Sequence, residues 1–278
     1  MIPLYINWDL NPEIINILGF PLKYYGLLFA SGLLLCMWIL KGIFRNENLK
    51  DSAHEALFIY SIVGIFIGAR LGHCLFYDFD YFSKNPLEII LPIKKTLSGG
   101  YKFIGYAGLA SHGGTIGLII SLYLYSKKYK IKYSQILDLI AIVAPLGATF
   151  IRLANLANSE MIGNPTNLPW AFVFKQVDNI PRHPAQLYEA ISYFIIFLIV
   201  FVTYKTKNIQ LGRGFYFGLT ITLIFIMRIL IEFVKINQVE FENGMLLNMG
   251  QILSIPFIII GMYFIVKNLN FKTSDLKN

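Results

Sequence analysis

Seven stretches of this 278-residue chain are apolar for long enough to cross a bilayer, and this constrains the fold more than any other feature. A hydrocarbon core of about 30 Å calls for roughly 20 residues of helix, because its backbone polar groups must be paired without help from water. The stretches run approximately over Leu22–Phe44, Ala53–Phe76, residues 106–126, Ile136–Asn155, Leu187–Tyr204, Gly214–Val234 and Met249–Val266. The third is clearest from His112 to Ser126, and a start near Tyr106 would give it full length. Composition agrees: 14% of residues are charged, against about a quarter in a soluble domain. The expected architecture is an all-α integral membrane protein. It is one polytopic domain over residues 1–278, with seven transmembrane helices and a small outer-face cap formed by long loops.

The charges give an orientation. Short segments hold Lys41, Arg45 and Lys50; Lys127, Lys128, Lys130 and Lys132; Lys205, Lys207 and Arg213; and Lys267, Lys272 and Lys277. The alternate segments, Tyr77–Ser111 and Leu156–Gln186, are longer and sparser in cations. The positive-inside rule puts the short basic segments in the cytoplasm, with the N-terminus outside and the C-terminus inside. The net charge of +8 is spread over these loops, so no nucleic-acid surface is expected. The first twenty residues lack a basic n-region and a small-residue cleavage site, so the first span is expected to direct insertion. Cys36 and Cys74 fall in different spans near opposite membrane faces. Neither a disulfide nor a metal site is expected.

Three arginines remain inside the spans: Arg70, Arg152 and Arg228, each in the outer third of an even-numbered span. A buried arginine needs a partner. Glu232, four residues after Arg228, is one local candidate. Three together call for an anion, and the planar guanidinium suits phosphate. At that depth the anion would be a phospholipid headgroup. The stretch "FIRLANLANSEMIGNP" adds Asn155 and Glu160 near Arg152. Arg152, Asn155 and Ser159 share one face if the helix continues, although Asn155 and Asn158 also suit helix capping. "ASHGGTIG" puts His112, Gly113 and Gly114 at the outer mouth of the third span. Here His112 is either a general base or headgroup donor, or simply part of a helix start whose glycines allow tight packing. Tyr25 opens the first span on the same side. Tyr25, Arg70, His112, Arg152, Asn155, Arg228 and Glu232 thus come from five spans at a similar depth, which is the pattern of a site.

In order along the chain, "SHGGTIG", "RLANLANSEMIGNP", "PRHPAQLYEA", "MRILIEF" and "MGQILSIP" resemble the prolipoprotein diacylglyceryl transferases. The resemblance runs from about Tyr24 to Pro256. It implies a seven-span enzyme of the bacterial cytoplasmic (inner) membrane with its site near the outer leaflet. Such an enzyme transfers the diacylglyceryl group of phosphatidylglycerol to the lipobox cysteine of a prolipoprotein signal peptide, forming a thioether and releasing glycerol phosphate. No cofactor or metal is implied. Carried over by motif, the catalytic residues are His112, Arg152 and Arg228. The substrate-binding residues are Tyr25, Arg70, Gly113, Gly114, Asn155, Glu160, Gly163 and Glu232. The chain departs from many relatives at Ser159, where they have Gly, at Asn164, where they have a basic residue, and at Ile224, where they have an aromatic. The alternative from a different class is a membrane transporter or binder of an anionic or phosphorylated lipid or solute. It predicts polar residues through the depth of the bundle, whereas the inner halves here are apolar apart from Asp138.

Overall fold

In the computed structural model, described over residues 5–17, 20–96, 99–103, 108–206, 209–236, 242 and 244–275, most of the chain is helical. The described residues include nine α-helices: α1 (Tyr24–Asn46), α2 (Asp51–Phe76), α3 (Phe79–Lys84), α4 (Leu87–Ile90), α5 (Ser111–Tyr129), α6 (Tyr133–Ala157), α7 (Ala185–Thr206), α8 (Phe215–Glu232) and α9 (Met249–Asp275). Six of these are long and apolar enough to cross a membrane: α1, α2, α6, α7, α8 and, within α9, Met249–Asn268. They fall on six of the seven expected spans. The expected span over 106–126 corresponds to α5, which is not among the six. Over its 19 residues, Ser111, His112, Thr115, Ser121 and three glycines dilute the apolar content. Residues 106 and 107 lie outside the described residues.

The segments before and between the helices hold more regular structure than loops alone. Short strands occur at β1 (Ile6–Trp8), β2 (Glu13–Ile17), β3 (Phe20–Lys23), β4 (Ile93–Lys95), β5 (Tyr101–Phe103), β6 (Phe172–Phe174) and β7 (Pro181–Arg182). By its contacts the chain divides into two compact units, Phe44–Ile136 and the remainder, Met1–Ile43 with Leu137–Asn278.

In the unit Phe44–Ile136, α2 packs along α5 through glycine on glycine. A β-carbon on Gly68 would lie 2.7 Å from the Gly117 Cα, and one on Gly72 would lie 2.7 Å from the Gly113 Cα. Only the absence of side chains lets the two backbones come this close. Tyr125 Oη donates to the Ala53 carbonyl at 2.8 Å and ties the other end of the pair. The segment between these helices carries α3, α4 and the β4–β5 hairpin. Arg70 holds it to α2: its Nε donates to the Ile89 carbonyl at 3.1 Å and its Nη1 to the Gly108 carbonyl at 3.3 Å. Its Nη2 donates to the Glu88 carbonyl, and its guanidinium lies 4.8 Å from the Phe82 ring centre.

In the larger unit, β1 runs parallel to β6, and β6 runs antiparallel to β7. Leu156, Phe172 and Phe174 are buried beneath Trp8, Ile162 and Leu187. Trp8 Nε1 donates to the Leu156 carbonyl at 3.0 Å, which fastens the sheet to the end of α6. Helices α8 and α9 approach closely at Gly218, where a β-carbon would lie 2.7 Å from the Gly261 carbonyl oxygen, and Phe225 stacks on Phe257. Asp138 is fully buried and accepts from the backbone N–H groups of Gly212 and Gly214, each at 2.9 Å, and of Phe217 at 3.0 Å. This polar exception among the inner halves of the spans therefore closes the turn that starts α8.

Candidate functional site

The polar stretch at the end of α6 folds back on itself. The helix stops at Ala157, and Ser159 and Met161 take left-handed backbone angles, φ 55° and φ 57°. The Glu160 N–H then donates to the Asn155 carbonyl at 2.9 Å. This reversal brings the Glu160 carboxylate onto the amides it follows: Asn155 Nδ2 donates to Oε2 at 3.2 Å and Asn158 Nδ2 to Oε1 at 3.0 Å. Asn155 Oδ1 in turn accepts from Arg152 Nη1 at 3.2 Å. The expected face of Arg152, Asn155 and Ser159 does not form, because the helix ends before Ser159. Glu160 takes the place beside Asn155 instead.

Arg152 also meets a partner from α7. Its Nε lies 2.9 Å from Glu189 Oε2. That oxygen lacks an aligned hydrogen bond, so the contact is ionic rather than a directed bond. Glu189 Oε1 lies 3.3 Å from Lys235 Nζ. Lys235 Nζ lies 3.6 Å from Glu232 Oε1, and the same oxygen lies 3.7 Å from Arg228 Nε. Five charges thus alternate in sign: Arg152, Glu189, Lys235, Glu232, Arg228. The middle of this chain is buried, with the Glu189 and Lys235 side chains 2% and 6% exposed. The Arg228 side chain at one end is 42% exposed and loosely held. The structure therefore brings together Arg152, Asn155, Glu160, Arg228 and Glu232 of the expected set.

Glu232 is steered by the start of α9. Asn248 Nδ2 lies within hydrogen-bonding reach of Glu232 Oε2 at 3.4 Å. Gly250 leaves the space that Oε1 occupies, since a β-carbon there would lie 2.6 Å away. Asn248 and Gln251 cap α9 reciprocally: the Gln251 N–H donates to Asn248 Oδ1 at 2.9 Å, and the Asn248 N–H to Gln251 Oε1 at 3.0 Å. This accounts for the polar start of "MGQILSIP".

Gly163 packs between two segments. A β-carbon on it would lie 2.6 Å from both the His183 Cβ and the Val234 carbonyl oxygen. Its neighbour Asn164 donates from the backbone to Val234 O at 2.8 Å and from Nδ2 to Lys235 O at 3.1 Å. The Gly163–Asn164 pair thus fixes the backbone that carries Lys235. Tyr25 lies across a cleft of about 590 Å³, lined also by Lys23, Asn158 and Glu160.

Nearby, Trp170 Nε1 donates to Tyr188 Oη at 2.9 Å, and Tyr188 Oη lies 3.3 Å from His183 Nδ1. Since the hydroxyl accepts from the indole, its own proton is free for Nδ1. Burial pushes the His183 imidazole below its ordinary value. Asp178, gripped by the Arg182 guanidinium, is held below the usual carboxylate range.

In the other unit, His112 is the second residue of α5 and is exposed. Gly113 serves the close approach to α2. Gly114 packs on Ala69, to whose Cβ its own β-carbon would stand at 3.4 Å. Arg70 spends donors on three carbonyls, as described above.

Sequence reading missed Glu189 and Lys235 as members of the site. Lys235 follows the sixth apolar stretch and Glu189 stands near the start of the fifth, where polar residues are ordinary at a membrane interface. The spacing carries a partial signal: Arg228, Glu232 and Lys235 stand at i, i+4 and i+7, which would be one face if the helix ran on, but α8 ends at Glu232.

Residues 12–267 match the family described as "Prolipoprotein diacylglyceryl transferase". Among similar proteins, a phosphatidylglycerol--prolipoprotein diacylglyceryl transferase of Bacteroides fragilis is 56% identical over 261 residues, covering 94% of both chains. Proteins of the same name from Chloroherpeton thalassium and Tolumonas auensis are 40% and 38% identical, covering 95% and 92% of this chain and 94% of each relative.

Proposed function

We propose, on the premise that the chain belongs to the prolipoprotein diacylglyceryl transferase family, that it transfers the diacylglyceryl group of phosphatidylglycerol to a lipobox cysteine thiol. The observation that carries the reading is the alternating chain of charge. It ends on an exposed guanidinium at Arg228 and holds Arg152 between a carboxylate and an amide. In the reaction the sulfur forms a bond to a glyceryl carbon, and the bond from that carbon to the phosphate oxygen breaks. The electron pair leaves with glycerol phosphate. The phosphate starts as a diester with one negative charge and ends as a monoester, which carries about −1.5 to −2 near neutral pH. Arg152 and Arg228 stabilise that developing charge. The thiolate is the nucleophile, and a thiol of pKa about 8.5 needs a base. We assign its proton to His112.

Asn155, Glu160 and Tyr25 position the lipid headgroup, and Glu232 holds Arg228. Gly113, Gly114 and Gly163 act by letting backbones approach closely. Arg70 braces the chain at Glu88, Ile89 and Gly108. We read the fold as one polytopic domain in the inner membrane, with α5 as a seventh span. Its 19 residues reach about 28 Å at 1.5 Å per residue, close to the thickness of the hydrocarbon core and within the range of about 17–25 residues that a span takes. The short basic segments then lie in the cytoplasm with the C-terminus, and the site faces the outer leaflet. The partners are phosphatidylglycerol, the prolipoprotein signal peptide and the surrounding membrane lipids.

The test is a transfer assay in nanodiscs with phosphatidylglycerol labelled in its diacylglycerol part, a lipobox peptide and its Cys→Ser control. A mass gain of one diacylglyceryl group on the cysteine peptide alone, with glycerol phosphate released, is expected. Well-folded protein that retains the lipid without modifying the peptide would overturn the reading in favour of a lipid binder or transporter.

A further inference from the structure

We propose that Lys235 is a positioning residue that keeps the two arginines available to the phosphate, by occupying the carboxylate oxygens that would otherwise neutralise them. The proposal rests on the function given above and concerns how that site holds an anion. The ion-paired chain contains three cations and two carboxylates, a surplus of one positive charge. Lys235 is the source of the surplus. Without it, Arg152 would stand with Glu189 and Arg228 with Glu232, two neutral pairs. A phosphodiester could then bind only by breaking one of them. Glu160 stands one amide further off, reaching Arg152 only through Asn155.

The geometry shows the competition directly. Glu232 Oε1 lies at nearly equal distances from Lys235 Nζ and Arg228 Nε, 3.6 Å and 3.7 Å. The buried ammonium therefore shares the oxygen that would clamp Arg228. The guanidinium is left long-bonded and exposed. At the other carboxylate the two oxygens are divided, Oε2 toward Arg152 and Oε1 toward Lys235. The position of Lys235 is fixed independently of these charges, since Gly163 forms a β-bridge with it and Asn164 Nδ2 donates to its carbonyl.

Four variants and the wild type decide the matter, each checked for folding by thermal unfolding in detergent. Lys235→Met is expected to raise KM for phosphatidylglycerol by about tenfold or more, with a smaller effect on kcat, while Lys235→Arg stays near wild type. Lys235→Met combined with Glu189→Gln restores the surplus, with two cations to one carboxylate, and is expected to recover much of the lost affinity. Glu189→Gln alone doubles the surplus and lowers KM; this variant keeps the proposal testable if Lys235→Met does not fold. The idea is overturned if Lys235→Met keeps the wild-type KM, if the double variant is no better than Lys235→Met, or if Glu189→Gln leaves KM unchanged or raised. Retention of phosphatidylglycerol, followed by native mass spectrometry, gives the same ranking without turnover. A wild type that retains the lipid but never transfers it would sink the transferase reading and still leave Lys235 decided by this ranking.

Discussion

Replacing Gly250 by alanine should separate the stability of this protein from its activity. A β-carbon at that position would lie 2.6 Å from Glu232 Oε1, while ordinary contacts begin at 3.4 Å and real β-carbons essentially never come under 3.0 Å. The carboxylate must therefore retreat by 0.4 to 0.8 Å. The obstacle is the tip of a side chain rather than backbone, so the retreat costs the fold little. Gly250 lies in the first turn of α9, and alanine is the better helix former by up to about 1 kcal/mol. The melting temperature should hold or rise. The retreat, however, acts on the oxygen shared by Arg228 and Lys235. Misplacement by about 1 Å in a catalytic constellation can cost on the order of 100-fold, so we expect kcat/KM for phosphatidylglycerol to fall between tenfold and 100-fold. The assay is diacylglyceryl transfer in nanodiscs, with thermal unfolding measured on the same preparation. Unchanged activity would refute the claim that Glu232 sets Arg228. Loss of activity matched by loss of stability would refute the claim that the alanine is accommodated.

Other outcomes follow from the same geometry. Ser159→Gly should raise stability by about 1 kcal/mol, read as a higher melting temperature, because Ser159 holds a left-handed φ of 55° that costs a side chain roughly 1–2 kcal/mol. Gly117→Ala should destabilise by roughly 1–3 kcal/mol, since its β-carbon would lie 2.8 Å from the Gly68 Cα and push backbone against backbone; unchanged unfolding would remove the seam as a determinant. His183 is depressed when folded, so its contribution is full above its unfolded value near 6.5 and is lost as pH falls from there through the lower folded value. His183→Gln should flatten stability against pH in that window, and a slope identical to wild type would count against burial as the cause.

The apolar runs made six of the helices legible, because a bilayer imposes length and composition on each segment separately. The third run was harder to read for the same reason. The glycines of α5 are spent on packing against α2, which is a property of two helices rather than of one. The site was legible where charge stood in apolar surroundings, as at Arg152 and Arg228. It was illegible where a charge stood among ordinary interfacial residues. The pairing of Glu189 with Lys235 shows only when α7 and the residues after α8 are brought together. The fold-back after Ala157 was also hidden, because Ser159 gives no sign of a left-handed turn. The glycine that many relatives carry there is the residue such a turn prefers.

Asp138 also bears on how the chain is made. Its three backbone partners lie 74, 76 and 79 residues further along. At translation rates of about 5–20 residues per second, they leave the ribosome roughly 4 to 16 s after it does. For that interval the carboxylate lacks these three donors. It is the sixth residue of α6, so it lies only about 8 Å from the start of its helix and can wait at the water boundary. The sixth helix can therefore settle to full depth only when the start of the eighth arrives, which makes the order of synthesis part of how this bundle closes.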